Sequence, residues 1–308
     1  MDKKKRSLVA DLSLLVVAIV WGTGFPVTDI AMLTIGPNQL LSIRFGFAAL
    51  ILGLVFRKKL KTTTAVDLKA AAISSILFWA GFTTQTIGIQ YTTASKASFL
   101  TGVYVVLVPF LYWAFSKRRP DKFNVLAAFM TLGGIYLFTT SKGADILSFN
   151  NGDALVLVCA VFFASQIIAV GYYVKEKGID PIILTVYQFA FSFVLSLSMV
   201  FVFKEFGIKQ PIDLTAIVSL VFLVIFSTII AFLAQNVAQK HTTETHAAIL
   251  MSLEAVFGVI MSVILLSDPF TPQMVVGCVI IFAGIITAET KWSFLRKSAT
   301  PMERSCDL

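Results

Sequence analysis

Ten apolar stretches, set out as two runs of five, constrain this chain more than any other feature. Each run holds an odd number, so a second copy of the first would sit upside down in a membrane relative to it. The stretches lie near 12–33, 37–56, 67–90, 95–116, 123–140, 153–174, 181–203, 213–237, 246–267 and 272–290. Each approaches the roughly 20 residues that a helix needs to cross about 30 Å of hydrocarbon. With 57% hydrophobic and 14% charged residues among 308, and a mean hydropathy of +0.86, the chain has too little polar surface for water. The connectors are short and leave little room for a soluble domain. The runs also lack the alternation of a membrane barrel. The sequence therefore predicts an all-α membrane protein of ten transmembrane helices in two five-helix inverted repeats, at 1–141 and 142–291, with a cytoplasmic tail at 292–308.

The basic residues give an independent test, because Lys and Arg in short loops gather on the cytoplasmic side. With the N-terminus inside, the inner set is Lys3, Lys4, Lys5, Arg6, Arg57, Lys58, Lys59, Lys61, Lys69, Lys117, Arg118, Arg119, Lys122, Lys175, Lys177, Lys240, Lys291, Arg296, Lys297 and Arg304. The outer set is Lys96, Lys142, Lys204 and Lys209, and Arg44 falls within a span, so 20 of 25 basic residues lie inside. The bias predicts both termini in the cytoplasm. Loops beside anionic headgroups also account for the net charge of +8 without a nucleic-acid partner. The positive run before the first stretch has the charge of a signal peptide. The stretch is long and lacks a clear small-x-small cleavage site, so it is read as a retained helix. Cys159 and Cys278 fall inside spans and Cys306 in the tail, a spacing that supplies neither a disulfide framework nor a zinc site.

The repeat can be followed residue by residue. At an offset of 150, Phe82, Gln85, Thr92, Thr93, Ala97 and Leu100 fall on Phe232, Gln235, Thr242, Thr243, Ala247 and Leu250, and Gly134-Ile135 falls on Gly284-Ile285. Asp11 and Ala18 match Asp153 and Ala160 at an offset of 142, and Pro37 and Phe45 match Pro181 and Phe189 at 144. Greasy helices agree by chance, but a Gln and a Thr-Thr pair in one register at one span boundary do not.

Several of these segments resemble one family. Trp-Gly-Thr-Gly-Phe-Pro at 21–26 is similar to the first-helix Trp-Gly-x-x-Phe pattern of EamA-type transporters in the drug/metabolite transporter superfamily. Pro37 with Arg44-Phe45, Tyr91 to Ala97, Ser252-Leu253-Glu254, Gly277 and Gly284 carry the likeness along the chain. Two positions depart: the family's Leu-Glu-Pro is Leu253-Glu254-Ala255, and the acidic residue ending the ninth helix is represented only by Asp268. The resemblance implies a carrier in a prokaryotic cytoplasmic membrane that moves amino acids or other metabolites, often outward, with no cofactor. The repeat itself implies alternating access, two halves rocking about a central site, so one chain suffices without a partner subunit. Gly22, Gly24, Gly81, Gly88, Gly102, Gly133, Gly134, Gly258, Gly277 and Gly284 fit sliding or static helix contacts equally. Pro26 and Pro109 either expose carbonyls to a cavity or are tolerated kinks.

Ionisable residues within spans mark candidate sites, because a charge at the bilayer centre costs about 2.5–3.5 kcal/mol on insertion scales and must face protein or water. Glu254, eight residues into the ninth span, is the leading candidate. A protonatable carboxylate there would couple proton movement to flux or bind a substrate amine; the alternative is a structural hydrogen bond between helices. Arg44 is either a clamp for a substrate carboxylate or a packing ion pair, with Asp29 as a partner, and lies close enough to the outer end to snorkel. Gln85, Gln166, Gln188, Gln235 and Asn236 would line a polar path or pair between helices. Trp21 and Tyr104 would form an aromatic wall or gate for a small-molecule substrate. His241, Glu244 and His246 share residue types with a metalloprotease helix, but the histidines are five apart and Glu does not follow the first, so no metal is expected. His246 occupies the repeat position of Lys96; each is a boundary residue, with gating the other reading. The spans hold no constellation for an enzyme, no filter for a channel, and the length leaves no output domain for a sensor. The alternative within transport is a facilitative carrier or an importer of another solute, such as a nucleoside.

Overall fold

The computed structural model describes residues 3–117, 119–139, 150–268 and 271–290, all helical or connecting, with no strand among them. Arg118, Lys142, Lys291 and the tail with Arg296, Lys297, Arg304 and Cys306 lie outside the described residues, as do the side chains of Lys3 to Arg6. The helices are α1 (Lys3–Met32), α2 (Pro37–Val55), the short α3 (Arg57–Leu60), α4 (Ala65–Ile89), α5 (Ala94–Thr101), α6 (Tyr104–Ser116) and α7 (Lys122–Thr139). They continue with α8 (Asn151–Gly171), α9 (Pro181–Phe203), α10 (Leu214–Phe222), α11 (Ala231–Ala238), α12 (Glu244–Met251), α13 (Glu254–Leu266) and α14 (Pro272–Thr290). A π-helical turn, Tyr172–Glu176, extends α8, and a π-helical stretch, Leu223–Ile230, joins α10 to α11. Among the described residues eight helical runs are long and apolar enough to span a membrane, and Pro272–Gly284 is a shorter apolar helix.

Local chemistry sets where these helices begin. Thr64 with Asp67 and Asn150 with Asp153 form reciprocal capping boxes, while Asp180 and Asp213 cap α9 and α10. Thr93 and Thr243, repeat mates in sequence, cap α5 and α12 by accepting from the backbone N–H of Lys96 and His246. The α6 and α13 helices end on left-handed Lys117 and Ser267, again 150 residues apart. Outside, the helices present Leu12, Leu54, Val194, Ile264 and Val279; inside, they bury Ser74, Thr185, Gln166 and Asn236. The apolar exterior suits lipid, and the polar groups are held within an interior that is otherwise apolar.

Because lipid tails are as apolar as Leu, packing here depends on close approach more than on burial. At the crossing of α7 and α14, a Cβ on Gly134 would lie 2.7 Å from the Gly277 carbonyl oxygen, and one on Gly284 would lie 3.1 Å from that of Ala127. A phenylalanine cluster, Phe45, Phe78, Phe82, Phe189 and Phe232, ties α2, α4, α9 and α11 together with ring centroids 4.7–6.3 Å apart.

One polar link outside the spans gives an expected pH response. Lys59 lies 2.7 Å from Asp180, which also accepts from the N–H groups of Ile182 and Ile183. Burial would raise the Asp180 carboxyl, but the Lys59 ammonium and those N–H groups outweigh it and hold it below its ordinary range. The folded-state value is the lower one, so this stabilisation is complete above the ordinary carboxylate range and is lost as pH falls from there through the lowered folded-state value. Asp180→Asn keeps the cap, so its cost at neutral pH stays below about 1 kcal/mol, as for exposed pairs. Thermal unfolding of the detergent-solubilised protein should then show a flatter fall in midpoint from about pH 5 downward.

Candidate functional site

The residues around the centre of the bundle line a small cavity, about 50 Å³ of it open to a water-sized sphere. Two spans are interrupted beside it. Between α5 and α6, Val105 N donates to Gly102 O, three residues back; between α12 and α13, Ala255 N donates to Ser252 O in the same way. These 3₁₀ turns tighten the helix, so Tyr104 and Glu254 each open a new half-helix facing the cavity. The π-helical stretch Leu223–Ile230 does the converse, widening the helix and leaving the Ser227 carbonyl to accept from Trp21 Nε1 at 3.0 Å. Helical irregularity at membrane depth thus occurs where it lines a cavity.

Seven of the nine side chains singled out from sequence line this space, Trp21, Arg44, Gln85, Tyr104, Gln166, Gln235 and Glu254, and Gln188 does not. Nor does Asn236; it lies fully buried on the other side of α11 and donates to Thr185 Oγ1 at 2.8 Å, with Gln188 beside it at 3.5 Å. The expectation that Arg44 snorkels, or pairs with Asp29, is corrected. Arg44 is 2% exposed, donates from Nε to Thr228 Oγ1 at 3.1 Å and from Nη2 to Ser227 Oγ at 3.3 Å, and lies 4.9 Å from the Phe82 ring centroid. Neither hydroxyl carries charge. The ion pairs among the described residues are Lys59 with Asp180, Lys96 with Asp153 and His246 with Asp11, so Arg44 and Glu254 belong to none.

Glu254 is 4% exposed and the Tyr104 hydroxyl lies against it without completing a hydrogen bond. Gln85 donates to Thr101 Oγ1 at 3.1 Å, whereas the Gln166 amide nitrogen and the Gln235 amide oxygen are buried with no partner. Amide atoms of Asn38, Gln188, Asn236 and Gln239 are also open elsewhere, but those of Gln166 and Gln235 face one space, where a donor and an acceptor can meet a ligand or water. Trp21, Phe82, Phe163 and Phe232 supply apolar wall, the Trp21 and Phe232 centroids being 4.6 Å apart.

The wall is built from repeat mates. Phe82 with Phe232, Gln85 with Gln235 and Tyr104 with Glu254 are 150 apart, while Trp21 with Phe163, Gly24 with Gln166 and Phe25 with Ile167 are 142 apart, and all twelve line the cavity. The charges break this correspondence: Glu254 stands opposite a Tyr in register, and Arg44 matches Gln188, which is elsewhere. Phe163, Phe232, Thr28 and Ser227 were not among the expected site residues. The offset that pairs Asp11 with Asp153 also pairs Trp21 with Phe163 and was the available signal.

Glycine 22 lets Glu254 come this close. A Cβ there would lie 2.6 Å from Phe257 Cβ, 2.7 Å from Gly258 N and 2.8 Å from the Glu254 carbonyl oxygen. Backbone cannot yield as a flexible side chain does, so Gly22→Ala must part α1 from α13. Overpacking of this kind costs about 1–3 kcal/mol. A lowered thermal midpoint in detergent, together with reduced ligand-induced stabilisation, is the expected result.

Comparison with known proteins bears on the whole chain. The EamA-like transporter family model matches residues 8–140 and again 150–289. An uncharacterized transporter of Archaeoglobus fulgidus is 34% identical over 282 residues, 91% of this chain and 86% of that protein. The uncharacterized transporter YvbV of Bacillus subtilis is 24% identical over 289 residues, 91% of each. A crystal structure of a protein 15% identical superposes with a TM-score of 0.73, covering 94% of this chain and 99% of the other, a likeness of fold alone.

Proposed function

We propose that this chain, which belongs to the EamA-like transporter family and is a multi-pass membrane transporter, carries a small zwitterionic metabolite of the amino-acid class by alternating access. One observation carries the reading: a single cavity holds a buried guanidinium with no carboxylate and a buried carboxylate with no cation. Leaving one charge of a buried pair without its partner costs about 3–5 kcal/mol, so two such charges around an empty space call for a ligand that brings both counter-charges. An α-amino acid does this, its carboxylate to Arg44 and its ammonium to Glu254. The free amide groups of Gln166 and Gln235 then meet its remaining polar atoms, and the aromatic wall its side chain.

Direction and coupling follow from the same carboxylate. Glu254 cannot hold a proton and a substrate ammonium at once, so proton and substrate alternate at it, and a proton gradient drives export from the cytoplasm. The basic loops support cytoplasmic termini in a prokaryotic cytoplasmic membrane, and the cavity of repeat mates supports an inverted pair of five-helix halves complete in one chain. The test is uptake into proteoliposomes of labelled neutral amino acids, their decarboxylated amines, their deaminated acids and nucleosides, with and without an imposed pH gradient. Saturable, gradient-stimulated flux of the zwitterions alone is expected. Preference for a nucleoside would overturn the substrate class, and flux indifferent to the gradient would leave a facilitative carrier.

A further inference from the structure

Two ion pairs away from the cavity are related by the same arithmetic as its wall. Lys96, in the first turn of α5, meets Asp153, in the first turn of α8, at 2.5 Å. Adding 150 to Lys96 gives His246, and subtracting 142 from Asp153 gives Asp11; these mates also meet, Nε2 to Oδ1 at 2.8 Å. Each pair joins one half of the chain to the other. The helix that lends the basic group in one pair belongs to the first half, and in the other to the second, so the contact is reciprocal, as across a two-fold axis.

Nothing local calls for a cation at either place. A positive charge in the first turn of a helix opposes the macrodipole, and both helices already have a Thr cap accepting from the same residue's N–H. The reading of Lys96 as a plain boundary residue also fails on burial, since Lys96 is 7% exposed and Asp153 is 0% exposed. Asp153 further accepts from Thr92 Oγ1 at 2.7 Å, a second link between the halves, while Asn150 N, at 3.1 Å, holds it in place from its own half.

We propose that Lys96 with Asp153 and His246 with Asp11 are the two gate latches of the transporter, one at each mouth of the cavity, released in alternation. This rests on the alternating-access reading and on the inverted placement of the halves, which puts mates at opposite membrane faces. Both latches are closed in this structure. Breaking the Lys96 latch frees α5 and α8 at the outer mouth, and breaking the His246 latch frees α12 and α1 at the inner mouth. The latches differ in strength: the outer pair is sealed, whereas His246 and Asp11 are each 29% exposed, so the inner mouth is the more easily opened.

Accessibility of the cavity measures the latches without any substrate. In a background carrying Cys159→Ala, Cys278→Ser and Cys306→Ser, the reporter Ser227→Cys places a thiol at mid-cavity beside the Arg44 guanidinium, which favours the reactive thiolate. Its labelling by a membrane-impermeant thiol reagent is timed from each side in right-side-out and inside-out vesicles. Asp153→Asn should speed labelling from the outside about fivefold or more and slow it from the inside, and Asp11→Asn should do the reverse. Each latch is tested from both partners: Lys96→Gln spares the helix cap and must reproduce Asp153→Asn, and His246→Gln must reproduce Asp11→Asn. A variant that fails to insert therefore leaves its partner as the test. Shifts in the same direction for both latches, or none, would overturn the proposal whatever the carrier transports. Opposite shifts would sustain it even if amino-acid uptake failed.

Discussion

Arg44→Met should abolish saturable zwitterion uptake while making the protein more stable. The two halves of that result come from one fact: the guanidinium is buried among neutral hydroxyls and a phenyl ring, with no carboxylate among its partners. Methionine follows the aliphatic stem and fills most of its volume, so the folded state loses two hydrogen bonds from a charged donor but no longer holds an uncompensated charge. Replacing buried charge by a well-packed apolar side chain is neutral or stabilising by about 1–4 kcal/mol. A ligand carboxylate, by contrast, loses its counter-charge in a dry site. Truncating one partner of such a pair costs about 2–5 kcal/mol, which is a fall of roughly 30-fold to several thousandfold in affinity. Were Arg44 a packing residue, stability would drop and uptake would fall only as far as the folded fraction. Thermal unfolding in detergent beside uptake in proteoliposomes separates the two. Arg44→Lys is the finer probe, because an ammonium keeps the charge but cannot present the planar fork a carboxylate meets.

The helices were legible in the sequence because lipid imposes a single rule, a long apolar run, and leaves few alternatives. The apolar runs left the starts loose by a residue or two, and it is Thr64, Asn150, Asp180, Asp213 and Thr243, capping Ala65, Asn151, Pro181, Leu214 and Glu244, that fix them. Less legible was where a continuous apolar run changes its winding. The 3₁₀ turns at Gly102 and Ser252 and the π-helical stretch through Ser227 lie inside unbroken hydrophobic segments, with no proline at the change. They come from what packs across the helix, which is tertiary information. Glu205 is a second case: its carboxylate, from the connector after α9, accepts from Asn38 N at 2.9 Å and Nδ2 at 2.7 Å and so caps α2 from 167 residues away. Among site residues, charge inside a span located Arg44 and Glu254 because burying them is costly wherever they point. Amides carry no such penalty when paired, and Asn236 differs from its neighbour Gln235 only in which side of α11 it occupies. A one-residue step turns a helix by 100°, and apolarity all round the helix gave no phase to choose between them.

Glu254→Gln should erase the carrier's distinction between an amino acid and the same molecule without its amine. Glutamine matches glutamate in shape, and the site already surrounds Glu254 with Tyr104 and the close backbone of α1 at Gly22, so the cavity is expected to keep its form. Only the negative charge goes. In the wild type, the ammonium of a bound zwitterion is drawn from water into a space where Glu254 alone among the lining residues can neutralise it. The deaminated acid leaves that carboxylate unanswered, and the wild type should bind it at least tenfold more weakly, or about 1.4 kcal/mol. In the variant both ligands reach Arg44 equally, and the gap closes. Arg44→Met should instead close the gap between the amino acid and its decarboxylated amine, so the two substitutions erase discrimination at opposite ends of one ligand. Ligand-induced shifts in the unfolding midpoint report this without flux, because a ligand held at 100 times its Kd adds about 2.7 kcal/mol of stability. Flux then carries the coupling claim. A glutamine cannot exchange a proton for an ammonium, so any uptake left to the variant should proceed at the same rate with and without a pH gradient. Gradient stimulation that survives in Glu254→Gln would move the coupling to another group while leaving the recognition result to stand on its own measurement.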